Sequence, residues 1–215
     1  DLQPMMEESL EIISLLLEND DPISYKGKYW SIKDMALQLK SYQRPKMPIA
    51  IACSGSEKSL EFAGSNGLKA LSLAKPPGPS SIPLSNQWDV ISNAADKTGK
   101  NVDRNEWELV TYVYLADTKK QAMDDIESGA HRDIHEYFSI ISDNGIDQYK
   151  NSKDQHEDDV TVSSVINKRS WIIGTPDDAI KEIEKLEKEA GGIGGLMITT
   201  HEWVSESKNK YSAEL

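Results

Sequence analysis

The chain has 215 residues, 38% hydrophobic and 28% charged, with 36 acidic against 24 basic side chains and a formal net charge of −12. That length supports one core. The surplus of carboxylates argues against nucleic acid and anionic membrane surfaces as partners, because both need clustered Lys and Arg. The single cysteine, Cys53, excludes an internal disulfide and suits a reducing compartment; no signal peptide or membrane-length apolar run is found, so the expected location is cytoplasmic.

Asp1 to Asn19 has helical spacing, with Met6, Leu10, Ile13 and Leu17 in one stripe and Ile12 and Leu16 beside it. Asp20-Asp21-Pro22 stops it, since Pro disfavours helix in the residue before it. Tyr25 to Leu39 reads as a small hairpin around Gly27, in which Tyr29, Trp30 and Ile32 serve packing.

Ile49 to Cys53 is a short apolar run, expected to be a strand buried on both faces. Ser54-Gly55-Ser56 breaks it, Glu57 to Ala63 runs helically, and Leu68 to Leu73 is a second strand that a helical crossover makes parallel to the first. The first N–H groups of that helix lack partners and face the positive end of its dipole, so the turn can hold an anion, with Ser54, Ser56 and Ser59 as hydroxyl donors. Equally, Ser56 can simply cap the helix.

The Pro-rich stretch Ala74 to Ser81 reads as a stiff connector or a site loop. A helix from Pro83 to Thr98, burying Trp88, Ile91 and Ala95, should stop at Gly99. Glu106 to Ala116 alternates as a third strand. Asp117 is the expected cap of the next helix, whose stripe is Ala122, Ile126, Ala130, Ile134 and Tyr137. His131 and His135 on that helix have the spacing of a zinc pair, but Arg132 stands where a general base would and no third ligand follows; a solvated face is expected and no metal.

Asp143 to Ser170 is polar and long, the profile of a mobile lid or insert, or of an excursion without a role. Trp171-Ile172-Ile173 leads into Gly174-Thr175-Pro176-Asp177-Asp178, with Thr175 as N-cap and Ala179, Ile180, Ile183 and Leu186 as the buried stripe. Gly191 to Gly195 ends a helix before a strand, so it is a connector and not a dinucleotide fingerprint. Leu196 to Thr200 is the last strand, with Thr200, His201 and Trp203 at its C-terminal end.

The run PIAIACSGSEKSLEFAGSNGLKALSL resembles the central segment of the bacterial-luciferase-like flavin-dependent monooxygenases. The likeness extends through Tyr25 to Trp30, Tyr42 to Pro45, Gly174 to Asp178, Gly194 to Leu196 and His201-Glu202-Trp203, in the family's order. It implies a (β/α)8 TIM barrel, here an incomplete one of about four parallel strands with their helices, forming a single domain over 1–215 with a lid at 143–170. By the same likeness both ends of the chain read as truncated, leaving open sheet edges and an expected dimer or higher oligomer. The resemblance places FMN phosphate at Ser54, Gly55 and Ser56 with Ser59 nearby, and the flavin ring beside Leu73 and Ala74. It implies a reaction in which reduced FMN, supplied by a separate reductase, and O2 oxygenate a small organic substrate. His201 is the one catalytic candidate within reach of that site. Two alternatives stand beside this: a deazaflavin-dependent hydride-transfer enzyme on the same barrel, and a non-catalytic flavin-binding or assembly module.

Overall fold

A computed structural model describes residues 2–75, 81–141 and 145–215, which divide into two compact units meeting at Ile49 and Ala50. Within the first unit, helix α1 (Leu2–Glu18) is followed by strands β1 (Ile23–Lys26) and β2 (Ser31–Met35), paired antiparallel. The Glu8 carboxylate ties helix to hairpin by accepting from the backbone N–H groups of Lys28, Tyr29 and Trp30 at 2.7–3.1 Å. Of the predicted stripe only the flanking Ile12 is buried, while Met6 and Ile13 are exposed. Trp30 is also half-exposed, its indole N–H donating to the Met5 carbonyl.

The second unit carries the site. Its strands are β3 (Ala50–Cys53), β4 (Lys69–Leu73), β5 (Glu108–Leu115), β6 (Ile172–Gly174) and β7 (Gly195–Thr199), all pairing in parallel. Strand β5 is the hub: its first half pairs with β4 and β7, and its last three residues pair with β6. Helices α2 (Glu57–Asn66), α3 (Leu84–Thr98), α4 (Lys119–Arg132) and α7 (Pro176–Ala190) supply the crossovers that parallel strands require. Every strand therefore ends at the same edge of the sheet, where ligands bind in such folds.

Several expectations change. The sheet has five parallel strands among the described residues rather than four, because Trp171 to Ile173 runs into β6. Among the described residues β3 is an outermost strand, so only Cys53 is buried and the expected burial on both faces fails. Helix α4 is capped by Thr118, whose hydroxyl accepts from the Gln121 N–H; Asp117 instead accepts from the Tyr211 hydroxyl at 2.6 Å. Ile180 is exposed, since α7 buries Ala179, Leu186 and Ala190 along a stripe to one side of it.

The most consequential change lies after α4. The helix continues as a π-helical turn over Asp133–Phe138, then as α5 (Ser139–Ile141). The wider turn carries an extra residue and shifts the inward-facing stripe by one position. Tyr137 is consequently exposed, Phe138 turns inward, and Asp133 is buried beside Ile134.

Asp143 and the Pro-rich positions 76–80 fall outside the described residues. From Gly145 onward the polar stretch is structured rather than loop-like. Two short 3₁₀ turns lead to α6 (Val162–Arg169), whose Thr161–Ser164 capping box fixes its start. Ile146, Tyr149, Val160, Val162 and Val165 join the core that Ile126, Ile134 and Trp171 form against β5, so this segment has apolar anchors its composition hides.

Candidate active site

Where β4 and β7 end, a cavity of about 320 Å³ opens between them, β5 and the 145–171 segment. Tyr112, Phe138, Tyr149 and Trp171 give it an aromatic wall, and Leu73, Ala74 and Val110 add aliphatic surface. Among the described residues, Lys75 and Arg169 are its charged lining and no Asp or Glu joins them. In a chain with 36 acidic and 24 basic residues, that lining is a local reversal of the overall balance.

Arg169 closes α6 and is 9% exposed. Its guanidinium lies over the Tyr149 ring and donates to the Gln148 side-chain oxygen at 3.1 Å, with a longer 3.4 Å contact to the Gln148 carbonyl. No carboxylate pairs with it among the described residues. Burial pulls its affinity for the proton down, and burial likewise pushes the Tyr149 hydroxyl up to about 12, with Arg169 opposing.

Asp133 builds the other side of the site. Its Oδ2 accepts from the Trp203 indole N–H at 2.7 Å and stands 2.9 Å from His201 Nδ1, while Oδ1 is 3.5 Å from the Arg132 guanidinium. A buried carboxylate without such partners would cost several kcal/mol, about 3–5 when one partner of a buried pair is removed. The carboxylate only accepts, so His201 Nδ1 bears a proton, and in that tautomer Nε2 accepts from the Tyr112 hydroxyl, 3.1 Å away. Rings of Tyr112, Phe138 and Trp203 hold the imidazole on three sides at centroid distances of 4.8–5.7 Å. Burial first, then the Asp133 charge, raises the Tyr112 pKa. An Asp133–His201–Tyr112 chain thus runs from the core to a cavity-lining phenol.

The turn before α2 forms a separate group on the same edge of the sheet. Gly55 is buried with φ +82°, a left-handed conformation that glycine adopts without steric cost, and its carbonyl accepts from the Ile82 N–H at 2.8 Å. Ser56 is the N-cap of α2 and its hydroxyl accepts from the Ser59 N–H; the Ser56 and Ser59 hydroxyls also bond each other at 2.9 Å. Ser54 and Ser56 are exposed and present to solvent. Capping therefore occupies Ser56 and Ser59 here.

Leu73 and Ala74 line the cavity, whereas Ser54, Gly55, Ser56 and Ser59 do not. His201 reaches the cavity through Tyr112 and Thr200 is not in the lining, its neighbour Thr199 being there instead. His131 and His135 stack at 4.3 Å, and His135 Nε2 contacts the Val160 carbonyl. Among the described residues no group of three His, Cys, Asp or Glu could hold a metal. Sequence reasoning missed Asp133, Tyr112 and Arg169. Tyr112 was visible only as one residue of the alternating strand from Glu106 to Ala116, and Asp133 only as one more charge on a polar helix.

The family model described as luciferase-like monooxygenase matches residues 3–192. The chain is 28% identical over 210 residues to 4-hydroxyprotoasukamycin monooxygenase of Streptomyces nodosus subsp. asukaensis, covering 97% of this chain and 55% of that protein. It is 25% identical to limonene 1,2-monooxygenase of Rhodococcus erythropolis over its whole length and 53% of the relative's. Its fold superposes with a TM-score of 0.73 and 24% identity on the oxygenating constituent of 3,6-diketocamphane monooxygenase from Pseudomonas putida, solved in complex with FMN, covering 100% of this chain and 61% of that one. The chain thus spans about half the length of the curated relatives it matches. With a parallel sheet, its crossover helices and a family match over residues 3–192, the chain belongs to the luciferase-like monooxygenase family.

Proposed function

We propose that the protein acts as a flavin-dependent monooxygenase: reduced FMN and O2 oxygenate a small organic substrate at the C-terminal edge of the sheet. The observation that carries this is the conjunction of the family match with an aromatic-walled cavity and a strand-turn-helix start on that same edge. The sheet is then an arc of a (β/α)8 barrel, a reading supported by the parallel order of β3, β4, β5 and β6.

The residues fit the cofactor. A buried glycine in a left-handed conformation, exposed Ser54 and Ser56 and the start of α2 suit a phosphate; Leu73 and Ala74 offer apolar surface to a planar ring. Bound reduced FMN supplies the reaction with O2, which no side chain provides. The protein's own part is to bind, orient and exclude water. Ser54, Gly55, Ser56 and Ser59 would hold the phosphate end, Tyr112, Phe138, Tyr149 and Trp171 would keep the cavity dry, and His201 would accept the Tyr112 hydroxyl proton at Nε2. Reduced flavin would come from a separate reductase, and the 145–170 segment, which supplies Gln148, Tyr149 and Arg169 to the cavity wall, would cover it.

Fluorescence titration with FMN tests the site. Gly55→Val and Ser56→Pro should each weaken FMN binding by tenfold or more, the first through backbone strain and the second by removing the cap. If both variants bind like the parent, the phosphate sits elsewhere. Oxygen uptake with reduced FMN tests the activity; hydride transfer without oxygen uptake would point to a deazaflavin enzyme instead.

A further inference from the structure

Resting on that reading, we propose that the organic substrate carries an acidic hydroxyl, a phenol or an enol, and that the cavity binds it as its oxyanion. Three independent features converge on this. Arg169 is nearly fully buried in the wall of a cavity with no carboxylate among its described lining residues, so its charge is desolvated and has no counter-ion among the described residues. Lys75 is a second cation in the same lining. Tyr112, another lining residue, is hydrogen-bonded to the His201 imidazole, whose Nδ1 stands 2.9 Å from an Asp133 oxygen. The wall between them is aromatic, which suits a planar body. One face accepts a proton and another wants an anion.

The step balances without a further reactant. The substrate O–H gives its proton to Tyr112 Oη as the Tyr112 proton passes to His201 Nε2. The substrate is left as an oxyanion facing Arg169, and His201 becomes imidazolium against the Asp133 carboxylate. No bond to carbon changes and nothing is oxidised. The groups governing the titration are Asp133 and Tyr112 on His201, Arg132 on Asp133, Tyr137 and Tyr149 around Tyr112, and Arg169 with Lys75 in the lining. A cation beside an acid lowers its pKa by about 1–3 units. A neutral polar substrate would instead leave Arg169 desolvated and without a counter-ion among the described residues.

4-Nitrophenol reports this directly, because its phenolate absorbs in the visible and its phenol does not. Titrated against the protein, the bound probe should ionise at a pH at least about one unit below the free probe, a tenfold preference for the phenolate. 4-Nitroanisole, which has no proton to lose, should bind at least tenfold more weakly. Arg169→Gln should abolish the downward shift and Arg169→Lys should restore part of it. Tyr112→Phe keeps the ring and removes the proton path, so it should weaken phenolate binding even if Arg169→Gln misfolds. An unshifted bound probe, or equal affinity for the anisole, overturns the inference. So does competitive displacement of the probe by FMN, which would assign the cations to the flavin. FMN binding with no probe ionisation would sink the inference and leave the monooxygenase reading standing; probe ionisation without FMN binding would do the reverse.

Discussion

Cys53 closes β3 with 1% of its surface exposed, its thiol directed at the Ser59 carbonyl 3.5 Å away. Burial pushes the thiol up to about 11, from an ordinary value near 9.0. The sign follows directly. Between those values the unfolded chain has lost the proton and the folded one keeps it, so stability is whole below about 9 and declines as pH rises toward 11. The slope is about 1.4 kcal/mol per pH unit within that window. Urea unfolding of the parent and Cys53→Ala at pH 8 and pH 10 should show the parent losing about 1 kcal/mol relative to the variant. Parallel behaviour of the two proteins would place the thiol in solvent. Residue-level legibility was uneven. His201 could be placed at a strand end from its spacing alone, and Gly55 at the turn from its neighbours. Asp133 and Arg169 carried no such mark, because burial of a charge is decided by packing from distant segments.

The same lesson is sharper for the helix from Lys119 to Ile141. A period of 3.6 residues predicts Ala122, Ile126, Ala130 and Ile134 correctly, and all four are fully buried. It fails one turn later, where the π-helical turn changes the count, and the stripe passes to Phe138. A hydrophobic pattern carries no sign of an inserted turn, so Asp133 stayed hidden among the polar residues around it. Upstream, Gly129 lets Trp203 approach closely: a Cβ there would lie 2.3 Å from the Trp203 Cα and 2.5 Å from its carbonyl oxygen. Those contacts are backbone and cannot swing aside. Gly129→Ala should therefore destabilise the fold by about 1–3 kcal/mol despite alanine's higher helix propensity. It should also disturb the Trp203–Asp133 hydrogen bond, read as a change in near-ultraviolet circular dichroism. A variant as stable as the parent, with an unchanged aromatic spectrum, would show that the two backbones can separate freely.

For the molecule as a whole, the alternation of strand and helix was legible from Ile49 onward, as was the parallel pairing of β3 with β4, while the place of β7 was not. Sequence order suggests each strand beside its predecessor, yet β6 and β7 both pair with β5. Short strands of three and five residues leave room for that sharing. One result is apolar surface: Leu73, Met197 and Ile198 are 37–56% exposed, and β3 is an outermost strand among the described residues. Open edges with apolar flanks favour association. Sedimentation velocity should show species heavier than the monomer, and Ile198→Lys should shift the distribution toward it. A single monomeric boundary across the concentration series would refute this.

The contrast between a chain of formal charge −12 and a cavity with no carboxylate among its described lining residues has its own outcome for uptake. An anion formed in bulk water would approach against the repulsion of the whole surface, at least within a screening length of about 8–10 Å. A neutral hydroxyl compound feels no such repulsion. The protein would then take its guest in uncharged and hold it charged, so that the protonation state at the door, more than shape, separates the compounds it admits from their already ionised look-alikes.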